Sequence, residues 1–203
     1  RRRCHMTDSN TFVSRAGSKL AHALDAFSCD PAGLACADFG CNVGGFTDCL
    51  LQRNAASVIA MDTGYGVLDW TLRNDDRVEV RERTNVLHAE PPEGGVDLVV
   101  ADVGWTPQAR VLPVALRWLR EGGRIISLVK PHYEHSAGRG RGERATGPLD
   151  DETARQELER VIEAVPGLGG RVIDSTESPL RGAKSSRKKG GGNMEFLVLV
   201  EAI

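Results

Sequence analysis

An open, mostly parallel α/β sheet with helices on both faces is the fold class this chain predicts. Three observations carry it. From residue 33 to residue 130, apolar strand-like runs alternate with segments of helical spacing, and such alternation builds a parallel sheet with crossover helices. Residues 37–49 (A-D-F-G-C-N-V-G-G-F-T-D-C) join a strand end to a helix start through a glycine-bearing loop, the parts of a ligand crevice in such sheets. The last two strand-like runs, 171–176 and 195–202, have a loop and no helix between them, so they must pair antiparallel.

Taken in order, residues 1–10 (R-R-R-C-H-M-T-D-S-N) show no periodicity and read as a flexible tail before one domain over 11–203. Ser14 offers an N-cap, and Ala16, Leu20, Ala23, Leu24 and Phe27 follow at the spacing of an amphipathic helix. Lys19 lies at the border of that apolar stripe, in line with Arg15. After the glycine loop, Phe46, Cys49 and Leu50 begin a second helix. Residues 57–62 make a buried strand ending in Asp62, 78–83 an alternating strand leading to Asn85, and 96–103 a central strand carrying Asp102. A helix is expected over 111–120, starting late because of Pro113 and ended by Gly122 and Gly123. Residues 124–130 form a strand ending in Lys130, and 131–149, rich in Gly and Arg, read as a long loop. Asp150 caps a helix that buries Ala154, Leu158, Val161, Ile162 and Val165 and turns Glu157, Glu159 and Glu163 to solvent. The loop 181–192 holds five basic residues and no acid.

The bulk numbers exclude several classes. At 203 residues, 40% hydrophobic and 27% charged, the chain suits one soluble domain. A net charge of −2 leaves no global positive field, so a nucleic-acid site must be a local patch. No apolar run approaches the ~20 residues of a membrane span. The five cysteines form no C-x-x-C pair, which points to reduced thiols in a cytoplasmic protein with neither zinc site nor disulfide framework.

The glycine spacing narrows the ligand. Gly40, Gly44 and Gly45 make G-x-x-x-G-G, which departs from the G-x-G-x-x-G dinucleotide fingerprint. With Asp38 in front, D-x-G-x-x-x-G-G resembles the first motif of S-adenosylmethionine enzymes. Asp62 follows Gly40 by 22 positions, near the ~20-residue offset at which an acid reaches a ribose hydroxyl. Asn85 and Asp102 end later strands on the same edge. The expected fold is therefore a Rossmann-like class I methyltransferase, a mostly parallel seven-stranded sheet with an antiparallel C-terminal strand. Asp38, Gly40, Asn42, Gly44, Gly45, Phe46, Asp62, Thr63, Asn85 and Asp102 are its candidate S-adenosylmethionine contacts.

S-R-A-G-S-K-L, D-F-G-C-N-V-G-G-F-T-D, D-V-G-W, L-V-K-P-H-Y-E and G-N-M-E-F-L, in this order, resemble the FtsJ-like ribose 2′-O-methyltransferases of RNA. The likeness is greatest to the haemolysin A-type branch, which methylates ribosomal RNA. It covers residues 11–202 and includes no counterpart of the small N-terminal RNA-binding module usual in that branch. The resemblance implies a catalytic tetrad of Lys19, Asp102, Lys130 and Glu195. Lys130 is then either the base or an orienting donor. Cys41, Asn42 and Val43 replace smaller residues, Phe46 stands where some relatives have Trp, and Asn85 where many have Asp. An RNA partner, most of all ribosomal RNA, would be met by Arg15, Arg181, Lys184, Arg187, Lys188 and Lys189. Two other readings stay open: a class I methyltransferase of small molecules or proteins, and a catalytically silent RNA-binding module.

Overall fold

Seven strands form one sheet in the order β3-β2-β1-β4-β5-β7-β6 in a computed structural model that describes residues 12–137, 149–182 and 192–203. The tail 1–10, the Gly/Arg-rich stretch 138–144 and Lys184, Arg187, Lys188 and Lys189 lie outside the described residues. The strands are β1 (Ala35–Phe39), β2 (Ser57–Met61), β3 (Val78–Arg81), β4 (Val96–Ala101), β5 (Leu119–Val129), β6 (Gly170–Glu177) and β7 (Phe196–Ala202). β7 pairs antiparallel with both β5 and β6, and the remaining neighbours pair parallel. One strand therefore runs against six, as the missing crossover helix requires. The order reverses between β1 and β4, and at such a switch point the loops diverge and leave a crevice at the carboxyl edge.

The period-2 alternation of each strand divides the core. Ala37 and Phe39 face one layer, with Val99, Ile125 and Val198, under α4 (Gln108–Trp118) and α6 (Asp151–Ala164). Cys36, Val58, Val100 and Leu199 face the other, under α1 (Ala16–Ala26) and α2 (Gly45–Gln52). Trp118 is fully buried and meets Phe39 edge to face at 5.2 Å. Trp118→Ala should cost about 3–5 kcal/mol in urea unfolding, the range for a large aromatic truncation in a core. Trp118→Phe should cost less, because it also removes a buried indole N–H with no acceptor among the described residues.

The helices depart from expectation where short-range signals mislead. Helix α1 begins one residue late, with Arg15 as N-cap, and Ser14 Oγ accepts from Ala16 N at 3.3 Å. Pro113 does not delay α4, which starts at Gln108 and holds the proline inside. Burial of Val111, Leu112, Ala115 and Trp118 outweighs the one hydrogen bond that proline removes. Nor do Gly122 and Gly123 end that helix. Leu119 already pairs with Val96, and Gly122, at φ +76°, lies in the bulge before Arg124 meets Leu98. Residues 131–137, expected as loop, form α5 (Pro131–Ala137), with proline at its first position. The motif-free segment after β2 also hides a one-turn helix, α3 (Trp70–Arg73), capped by Asp69. Asp150 caps α6 as expected, its carboxylate accepting from Thr153 N. Glu157 is not solvated: it is buried between His135 at 2.6 Å and Arg160 at 2.7 Å.

Candidate functional site

The glycine loop is built by close approach. Gly40 and Cys41 both donate their N–H to Met61 O at 2.9 Å. A Cβ on Gly40, whose φ is +83°, would sit 2.7 Å from the backbone oxygen of Asp102. Gly44 turns left-handed at φ +103° to start α2. A Cβ on Gly45 would collide with Ser14 Oγ and Ala16, so the S-R-A-G block and the G-G pair fit as one surface. Val13 N donates to Asp48 Oδ2 at 2.8 Å, tying the segment before α1 over the loop. The sequence reading missed this role of Asp48, for nothing local distinguishes it from a solvated acid.

Asp38 is fully buried and accepts from Thr47 N at 3.0 Å and Thr47 Oγ1 at 2.7 Å. Both bonds go to one oxygen; the other, Oδ1, is buried with no donor among the described residues. Burial, with smaller pushes from Asp102 and Asp62, raises its carboxyl to about 7. An orphaned carboxylate beside a glycine cradle fits a ligand that brings an ammonium group. Asp62 accepts from Asn42 N at 2.9 Å and Gly64 N at 2.7 Å, linking two loops of the same edge. Thr63 is exposed there, and Asn85, also exposed, accepts from Leu87 N at 3.0 Å. Glu82, unremarked in the sequence, gathers Gly66 N, Val67 N and Arg73 and so shapes the loop after Asp62. A cavity of about 80 Å³ lies between Ser14, Ala16, Gly40, Asn42, Phe46 and Asp102.

A second, wider cavity of about 350 Å³ shares Ser14 and Ala16 with the first. Lys19, Lys130 and Glu195 line it, and Asp102, which lines the first, is bound to Lys130. Lys19 Nζ meets Glu195 Oε2 at 2.5 Å, with side chains only 12% and 4% exposed. Lys130 forms an ion pair with Asp102, connecting the end of β5 to the end of β4. The four residues expected as a tetrad thus come together as two lysine–carboxylate pairs from four distant segments. Glu195 reaches this edge because β7 is reversed: the residue before an antiparallel strand lies where residues after parallel strands end.

Aromatic side chains extend the cleft. Trp105 is 81% exposed at φ +59°, and its ring lies 4.6 Å from that of Tyr133. Lys130 Nζ sits 5.8 Å from the Tyr133 ring, and the His132 ring lies 4.0 Å from it, tilted by 51°. Burial and the Lys130 charge hold His132 below its ordinary pKa. These three were missed as site residues, though D-V-G-W and K-P-H-Y-E place them just after strand-end site residues. Arg15 is exposed on the cleft wall. Arg181 is bidentate to Asp151, at 2.8 and 2.7 Å. Gly182 and Asn193, which flank the remaining lysine-rich loop in sequence, line the cleft.

Cys29, Cys36, Cys41 and Cys49 are free and buried, and burial pushes Cys36 and Cys49 up to about 12. Among the described residues no three His, Cys, Asp or Glu side chains gather as a metal site. No described helix is long and apolar enough to cross a membrane.

Comparison with known proteins agrees with this architecture. The chain is 40% identical over 198 residues to the 16S/23S rRNA (cytidine-2′-O)-methyltransferase TlyA of Mycobacterium tuberculosis, covering 95% of this chain and 70% of that one. It is 32% identical to Hemolysin A of Brachyspira hyodysenteriae, over 92% of this chain and 75% of the relative. A solved Streptococcus thermophilus protein, provisionally termed a hemolysin, superposes with a TM-score of 0.84 at 34% identity, covering 96% of this chain and 68% of that one. The S-adenosylmethionine dependent methyltransferase from Mesorhizobium loti shares the fold at a TM-score of 0.63 and 18% identity, over 91% and 98% of the two chains. The family of FtsJ-like methyltransferases matches residues 12–188, which is most of the chain. On these grounds, and with the sheet order and paired lysine–carboxylate cleft already described, the chain belongs to the FtsJ-like methyltransferase family.

Proposed function

We propose that this protein transfers a methyl group from S-adenosylmethionine to a ribose 2′-hydroxyl of RNA, with ribosomal RNA as its substrate. The reading rests above all on the two lysine–carboxylate pairs meeting in one cleft that adjoins the glycine-loop cavity. A cofactor cradle alone suits any methyltransferase. Two held lysines beside an aromatic pair suit an alcohol on a charged, base-bearing polymer.

S-adenosylmethionine, when bound, supplies a methyl already activated as a sulfonium substituent. The protein's part is then mainly to position the acceptor oxygen toward that methyl. Asp38 would hold the cofactor's ammonium, Gly40, Gly44 and Gly45 would leave room for its chain, and Asp62, Thr63 and Asn85 would hold its nucleoside end. Lys130, fixed by Asp102, acts on the 2′-hydroxyl, either as the donor that orients it or as the base that takes its proton. Lys19, fixed by Glu195, holds the ribose. Trp105 and Tyr133 offer a π-surface to a base, which is the sequence-tolerant way proteins hold unpaired nucleotides. Asp102, placed between the two cavities, serves both cofactor and acceptor.

The test is nucleoside mass spectrometry of ribosomal subunits incubated with protein and S-adenosylmethionine. A 2′-O-methylnucleoside absent from control digests is the expected product. Methyl only on a base, a protein or a small molecule, or no transfer at all, sinks the reading.

RNA contact carries its own prediction. Arg15 has no ion pair among those described, so Arg15→Ala should reduce the slope of log binding constant against log salt by about one. Arg181 is already neutralised by Asp151, so Arg181→Ala should change the slope less. Filter binding across a salt series reads both, and equal slopes for Arg15→Ala and wild type exclude a phosphate contact there.

A further inference from the structure

Two links between the β4 and β5 ends have been described, the Lys130–Asp102 pair and the Trp105–Tyr133 contact. A third lies behind the cleft. Gln108, the first residue of α4, is 5% exposed. Its Nε2 donates to Leu128 O at 3.1 Å and its Oε1 accepts from Ser127 Oγ at 2.8 Å. Ser127 is fully buried, and both partners precede Lys130 by two or three residues on β5. The backbone N–H of Gln108, which has no acceptor within its own helix, donates to Glu134 Oε1 at 2.9 Å. Glu134 lies on α5, next to Tyr133. None of Gln108, Ser127 or Glu134 lines either cavity.

The chain from Asp102 to Gln108 is a short connection containing Trp105 in a left-handed conformation. One end is set by Asp102 N donating to Phe39 O at 2.9 Å. The clasp at Gln108 sets the other end against the segment that carries Lys130 and Tyr133. We infer that Gln108 and Glu134 are positioning residues: through a Ser127–Gln108–Glu134 clasp they hold the Asp102–Trp105 loop in register with Lys130 and Tyr133. The inference rests on the ribose-methylation reading for its kinetic consequence, and on geometry alone for its structural one. A buried polar network specifies one arrangement when every member is satisfied. A displacement of about 1 Å in a reacting geometry costs on the order of 100-fold in rate.

Glu134→Leu and Glu134→Gln separate positioning from bulk stability. Glu134→Leu removes the acceptor and should lower kcat for RNA methylation by about 10- to 100-fold. Affinity for S-adenosylmethionine should change much less than kcat, since the glycine loop is carried by β1 and β2, whereas KM for RNA should rise as the Trp105–Tyr133 surface loosens. Glu134→Gln retains an acceptor oxygen and should restore most of kcat. Near-ultraviolet circular dichroism provides a second readout: the signal of the Trp105–Tyr133 contact should fall in Glu134→Leu and return in Glu134→Gln. Unchanged kcat and unchanged dichroism in a folded Glu134→Leu protein overturn the inference. So does a loss of kcat together with cofactor binding that Glu134→Gln fails to rescue. If the wild type methylates no ribose, the proposed function fails, and the dichroism alone then decides the clasp.

Discussion

Lys130→Met should lower kcat for ribose methylation by about 10²- to 10⁴-fold, the span expected when a positioned proton-handling group is lost, while S-adenosylmethionine still binds. Methionine keeps most of the length and the apolar stem of the side chain. What disappears is the nitrogen between Asp102 and the acceptor hydroxyl. Lys130→Arg refines the result. A guanidinium stays protonated at any pH the protein tolerates, yet it donates hydrogen bonds well. If Lys130 orients the hydroxyl, arginine should recover a substantial part of the rate. If it must accept the proton, arginine should be as inactive as methionine. Rates at saturating RNA and cofactor, with cofactor affinity from calorimetry, decide the matter. A folded Lys130→Met protein with the wild-type kcat would remove Lys130 from the chemistry.

Asp38→Asn should weaken S-adenosylmethionine binding by about 10- to 100-fold, as expected for losing a hydrogen bond to a charged partner, and yet stabilise the ligand-free protein at alkaline pH. The asparagine oxygen can still accept from both Thr47 donors. Its NH₂ then replaces the orphaned Oδ1 and opposes an incoming ammonium. The stability change has the opposite sign because burial raises the folded-state pKa to about 7, above the ~3.9 of an unfolded aspartate. Such a group contributes fully below about pH 4, and its contribution is lost as pH rises through 7. Asparagine carries no such penalty, so the melting temperature of the variant should exceed that of wild type at pH 8 and approach it at pH 4. If Asp38 is the ammonium site, binding to wild type at pH 6 should expel its carboxyl proton. Calorimetry in buffers of different ionisation enthalpy should detect that release, which vanishes at pH 8.5 and in Asp38→Asn. Buffer-independent heats in wild type at pH 6 would rule out Asp38 as the ammonium site.

The layered fold was legible because it rests on period and punctuation. Residues 98–101 and 125–129 are buried on both sheet faces, and their runs, apolar but for Ser127, announce this. The antiparallel finish followed from a missing helix. Helix α5 was hidden because seven residues offer no repeat, and Pro131 and the following glycines mimic a loop. Glu157 looked solvated because a carboxylate can be buried only when a distant partner comes to it. That partner, His135, is brought there by tertiary packing. The tetrad positions came from resemblance and not from spacing. No local rule relates residue 19 to residue 195, although they share an ion pair across 176 positions. Trp105 carried a weak signal: a bulky residue just past a strand end, where exposure costs a protein solubility unless something binds it.

The reversed β7 has a consequence for the order in which the molecule is made. Residues 19, 102 and 130 leave the ribosome well before residue 195, and Glu195 reaches Lys19 only after the last strand inserts between β5 and β6. A chain lacking that strand leaves Lys19 without its carboxylate. Completion of the Lys19–Glu195 pair is thereby tied to the one reversed strand of the sheet, and whatever loosens β7 opens the cleft's ion pair with it.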